Sequence, residues 1–67
     1  MFNIFKYDKH GIWLKNKDAE VVLIERNLLD YAEEFLAMYL TSEGLTKQDA
    51  KQIAKTVKEY KGGYIIH

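Results

Sequence analysis

The chain has 67 residues, ten basic and ten acidic side chains, and no cysteine or proline. That length leaves room for a single domain, residues 1–67, and a domain this small buries only about 60% of the surface its unfolded form exposes. Disulfides are excluded as staples, so stability has to come from dense packing or a second subunit. At 48% hydrophobic residues the chain is too apolar for a disordered segment, which could not repay its ordering entropy.

The zero net charge conceals a sorted distribution. Residues 1–17 carry Lys6, Lys9, Lys15 and Lys17 against Asp8, a balance of +3. Residues 18–43 carry Asp18, Glu20, Glu25, Asp30, Glu33, Glu34 and Glu43 against Arg26, or −6. Residues 44–67 return to +3, with Lys47, Lys51, Lys55, Lys58 and Lys61 against Asp49 and Glu59. Either these zones neutralise one another in the fold, or they face charged partners.

Phe2–Tyr7 and Ile12–Lys15 are aromatic and β-branched runs around Asp8-Lys9-His10-Gly11, a turn-forming tetrad whose glycine accepts positive φ. A β-hairpin is expected. Strict alternation puts Phe2, Ile4 and Lys6 on one face and Asn3, Phe5 and Tyr7 on the other. After the polar Asn16-Lys17-Asp18, the run Glu20-Val21-Val22-Leu23-Ile24 reads as a third strand. A rival reading makes Asp18 the cap of one long helix through Glu43, because no glycine or proline interrupts that stretch.

From Asn27 the period becomes helical, with Leu28, Ala32, Phe35, Leu36 and Tyr39 as the apolar line. Asn27 is the expected N-cap, Asp30 lies in the first turn, and Gly44 closes the helix at C′. Leu29, Tyr31, Met38 and Leu40 make this helix apolar over more than one face, so it should touch the sheet and a second surface, such as another subunit. Thr46-Lys47-Gln48-Asp49 has the form of a capping box and opens a second helix with Ala50, Ile53, Ala54, Val57 and Tyr60 inward. Gly62-Gly63 ends it, and Tyr64-Ile65-Ile66 reads as a closing strand. The expected fold is α+β in the order β-β-β-α-α-β, an antiparallel sheet packed on an αα-hairpin.

Lys47, Lys51, Lys55 and Lys58 fall within an arc of about 80° on the second helix. Like charges at i,i+4 oppose helix formation, so this ridge needs an anion nearby: Glu33 or Glu34 from the first helix, or a phosphate or acidic protein from outside. The hairpin mixes Phe2, Phe5, Tyr7 and Trp13 with lysines, a composition also found where bases stack on rings. Core and subunit contact explain it more simply.

Catalysis has little to work with. The nucleophiles are Thr41, Ser42, Thr46, Thr56 and lysines, and neither His10 nor His67 sits at a spacing that would make it their base. Asp8 and His10 lack a third metal ligand, and no cofactor motif is present.

Residues 20–62, a short strand through Arg26 followed by Asn27 and a helix, then Gly44-Leu45-Thr46-Lys47 and a second helix, resemble a ribbon-helix-helix repressor. The resemblance implies a strand that pairs with its twin in a dimer and reads DNA. It would make Arg26, Thr46 and Lys47 phosphate contacts. The strand departs from the family pattern, since neither Val21/Leu23 nor Val22/Ile24 offers polar side chains for bases.

Together these features point to a non-catalytic protein, cofactor-free and homodimeric, that binds another protein, as small accessory factors of bacteria or phages do. Its acidic partner surface would be Asp30, Glu33 and Glu34. The second reading is a nucleic-acid-binding dimer with Lys47, Lys51, Lys55, Lys58 and Arg26 on phosphate. The mixed polar and apolar first fourteen residues have no signal-peptide core, and no run approaches the roughly 20 apolar residues of a membrane span, so a cytoplasmic location is expected.

Overall fold

The computed structural model describes residues 1–60. Three strands, β1 (Asn3–Asp8), β2 (Gly11–Lys15) and β3 (Val21–Glu25), form an antiparallel sheet in the order β1-β2-β3. A 3-10 segment, Arg26–Asp30, leads to helices α1 (Glu33–Ser42) and α2 (Lys47–Glu59). This is the expected α+β arrangement, with the sheet against an αα-hairpin, and β3 is a strand as first read. The closing strand expected at Tyr64–Ile66 lies outside the described residues.

The β1–β2 turn is built by Asp8 and Gly11. The Asp8 carboxylate accepts the His10 backbone N–H at 2.9 Å, and Gly11 takes φ 139°. The next loop depends on Asn16, whose side-chain oxygen accepts the N–H groups of Asp18 and Glu20 at 3.0 and 2.9 Å. These bonds hold Ala19 at φ 64°, a conformation that a non-glycine residue adopts only under such constraint.

The hairpin departs from simple alternation. Ile4 pairs with Leu14, but the next pair is Lys6 with Trp13, so β1 carries a bulge at Phe5. The extra residue reverses the facing of everything after it. Tyr7, paired with Ile12, joins Ile4 on the core side and meets Tyr60 edge-on, with ring centroids 5.8 Å apart. Lys6 turns outward beside Trp13. The alternation drawn from sequence, with Lys6 beside Ile4 and Tyr7 opposite, is therefore corrected.

The first helix also starts later than expected. Arg26–Asp30 is 3-10 and not α, so Asn27 caps nothing, and α1 begins after Ala32 without a side-chain cap. The tight turn buries Leu28, and Lys58 on α2 donates to the Leu29 carbonyl at 2.6 Å, securing the segment from outside. Restarting the helix at Glu33 resets its phase. Leu36 and Leu40 point into the core, while Phe35 and Tyr39, expected inward, face solvent. Helical spacing persists across the break, which is why periodicity alone does not detect it.

The helical hairpin closes as its sequence implies. Gly44, at φ 110°, donates to the Thr41 carbonyl at 3.1 Å, and Leu45 donates to Leu40 at 3.2 Å, a Schellman closure. Thr46 Oγ1 accepts the Asp49 N–H at 3.1 Å. Thr46→Ala should cost about 1 kcal/mol, seen in a denaturant melt as a lower midpoint with an unchanged slope. Ala50, Ile53, Ala54 and Val57 line the buried side of α2 and meet Leu14, Ile24 and Leu36 in one core. Gln52 adds a polar tie: its side chain accepts the Phe2 N–H at 2.8 Å and donates to the Phe2 carbonyl at 2.9 Å, fixing the start of the chain to α2.

Candidate functional site

The antiparallel packing of α1 and α2 leaves an open groove of about 860 Å³ on the helical layer. One wall belongs to α2, where Lys47, Lys51 and Lys55 follow one another at i,i+4. The other belongs to α1, with Glu33 and Glu34 in its first turn, then Ala37 and Met38, then Thr41 and Ser42. Because the helices run in opposite directions, the glutamates stand at the Lys55 end and the hydroxyls at the Lys47 end. Cations therefore occupy one wall, acids the other, and apolar groups the middle.

Among the described residues, no carboxylate comes within 4.0 Å of the Lys47, Lys51 or Lys55 ammonium groups. Glu33 and Glu34 share the groove with these lysines without a close ion pair. Lys58 leaves the ridge, its ammonium being bound to the Leu29 carbonyl. Arg26 also stands apart, at the start of the 3-10 segment, with its backbone N–H on the His10 carbonyl at 3.2 Å. Of the five cations assigned to phosphate, the structure thus assembles three. Of the proposed acidic surface, Glu33 and Glu34 reach the groove, while Asp30 is exposed at the end of the 3-10 segment.

Tyr31 and Met38, expected on a second apolar face of the first helix, are exposed, and Phe35 and Tyr39 of the expected inner line join them. Phe35 is 61% exposed and Met38 66%. The available signal was the excess of apolar positions on this helix, more than one buried face can use. Tyr39 donates its hydroxyl to Glu43 Oε1 at 3.3 Å, and the negative charge of Glu43 raises the phenol's pKa.

The outer face of the sheet carries Phe5 and Trp13 together with Lys6 and Lys15. Lys6 Nζ stands 5.3 Å from the Trp13 ring centre, and Lys15 Nζ 5.0 Å from that of Phe5. The Trp13 indole N–H donates to Asp8 Oδ1 at 3.0 Å, and Lys6 also bridges to Asp8 Oδ2 at 3.2 Å. Both rings already hold a cation of this chain, so a stacked base would have to displace it.

Asp8 is the electrostatic centre of that cluster. The Trp13 N–H, with help from the His10 N–H and Lys6 and against some desolvation, lowers its carboxyl pKa from 3.8 to about 2. A folded pKa below the unfolded one stabilises the fold above the unfolded value, and that contribution disappears as pH falls through the folded value. The hairpin should therefore lose stability between about pH 4 and about pH 2, followed by Trp13 fluorescence in acid-dependent melts. Asp8→Asn should flatten this part of the profile.

The hydroxyl groups are committed to backbone structure. Thr41 and Ser42 donate to the carbonyls of Ala37 and Tyr39, at 2.9 and 2.6 Å. Thr46 caps α2, and Thr56 donates to Gln52 O at 2.8 Å. Among the described residues, no group of three His, Cys, Asp or Glu side chains is placed to hold a metal ion, and no helix is long and apolar enough to cross a membrane. Comparison with family models, with curated proteins and with solved structures finds no match to this chain.

Proposed function

We propose that this is a non-catalytic accessory protein that works as a homodimer and binds other polypeptides, with α1 as its contact element. The observation that carries the reading is the exposure of Phe35 and Met38, flanked by Tyr31 and Tyr39, on a helix whose core duty is met by Leu36 and Leu40. Contiguous apolar surface of this kind is uncommon on chains that work alone. The neighbouring Glu33 and Glu34 add charge that would steer a basic partner and make association sensitive to salt. The absence of cysteine suits a reducing compartment, and the reading places the protein in the cytoplasm.

The test is affinity capture with the wild-type protein against a Phe35→Glu/Met38→Glu control that leaves the core untouched. Polypeptides retained by the wild type and lost by the control are the expected result. Equal retention by both would end the reading.

Nucleic-acid binding is the second reading, favoured by the line of Lys47, Lys51 and Lys55 with no carboxylate in ion-pair range among the described residues. Glu33 and Glu34 in the same groove oppose it. Anisotropy titrations with duplex and single-stranded DNA and RNA would separate the two readings. Phosphate binding requires a salt-dependent affinity that drops in Lys51→Glu/Lys55→Glu.

A further inference from the structure

We infer that the α1–α2 groove is the homodimer interface, and that its occupant is the same groove of a second copy. The inference rests on the reading of the protein as a homodimer that binds polypeptide, and it adds the surface and the pairing.

Charge complementarity carries the argument. Lys47, Lys51 and Lys55 are confined to the α2 wall, and Glu33 and Glu34 to the α1 wall. A two-fold axis along the groove exchanges the walls while keeping each end at the same height. It lays α1 of one copy antiparallel on α2 of the other, so that Glu33 and Glu34 face the partner's Lys55 and the partner's Lys51. Symmetry repeats every such contact, as an isologous interface requires. The chain's zero net charge means that two copies meet without long-range repulsion.

Packing points the same way. Ala37 and Met38 occupy the middle of the groove, where the aliphatic stems of the partner's lysines would cover them. Met38, 66% exposed in the single chain, gains the most. A two-helix face on so small a domain lies at the low end of specific interfaces, so a weak, salt-sensitive dimer is expected. A nucleic-acid strand would satisfy the lysines but would meet two glutamates and an apolar floor. A second copy answers all three features.

The test is sedimentation across micromolar to submillimolar protein at low and high salt, for the wild type and two charge reversals. Glu33→Lys/Glu34→Lys makes the groove wholly basic, and Lys51→Glu/Lys55→Glu makes it predominantly acidic. Each alone should weaken self-association by at least about tenfold through like-charge contact. Mixed in equal amounts, they should restore a dimer containing one of each. A single chain carrying all four changes should dimerise again, which separates lost pairing from lost folding, with far-UV circular dichroism as the control. A wild type that stays monomeric throughout, a dimer indifferent to both reversals, or a mixture that fails to associate would each overturn the interface. Any of these would still leave the capture experiment with Phe35→Glu/Met38→Glu to decide whether α1 binds other polypeptides.

Discussion

Gly11→Ala is expected to unfold this domain at ordinary temperatures or to lower its melting temperature by at least about 12 °C. Two costs combine. Gly11 sits at φ 139°, where a side chain is strained, and an added Cβ would collide with the Ile24 carbonyl oxygen and press on Glu25 Cα at 3.0 Å. Both obstacles are backbone of β3, the strand Gly11 pairs with, so relief would mean breaking the β2–β3 ladder. A side chain forced into so sparsely populated a backbone conformation costs roughly 1–3 kcal/mol, and the clash should raise the total to about 3 kcal/mol or more, a large fraction of the stability of a small domain. Thermal unfolding followed by circular dichroism measures it. A shift under about 3 °C would show that the β2–β3 approach is looser than described.

Leu36→Ala should have the next largest effect, about 2–5 kcal/mol, because the side chain is fully buried and its removal leaves a cavity as well as losing transfer free energy. Phe35→Ala, one residue earlier, should stay within about 0.5 kcal/mol, since that ring is largely in water. The contrast tests the phase of α1 directly. Had the helix run unbroken from Asn27 with Phe35 on its inner line, the larger residue would give the larger loss. Urea melts of the two variants decide between these phases, and equal losses would contradict the observed one.

The sequence reading and the structure agree where local chemistry dominates. Gly11 and Asp8 mark a turn because one tolerates positive φ and the other accepts its neighbour's N–H. Thr46 with Asp49, and Gly44 with Leu45, start and stop helices through bonds between residues a few positions apart. Val21–Glu25 is a strand because β-branched residues suit a pleated surface. Disagreement appears where a choice depended on distant partners. The bulge at Phe5 lets Tyr7 meet Tyr60, more than fifty positions away, and the 3-10 segment is secured by Lys58 across the fold.

The candidate site divides in the same way. Glu33, Glu34 and the lysines at i,i+4 can be named from their spacing, because a helix fixes which of its residues share a face. That Lys58 leaves the ridge, that Met38 shares a groove with Lys51, and that Phe35 faces solvent follow only from the packing of one helix on another. Composition and local pattern therefore determined the class of the fold, the Asp8–Gly11 turn, the Gly44 stop and the Thr46 cap, and the sorting of charge along the chain. Tertiary structure decided which side chains face one another and which remain exposed, because burial is a competition among all apolar groups for one small core, and no local window contains all the competitors.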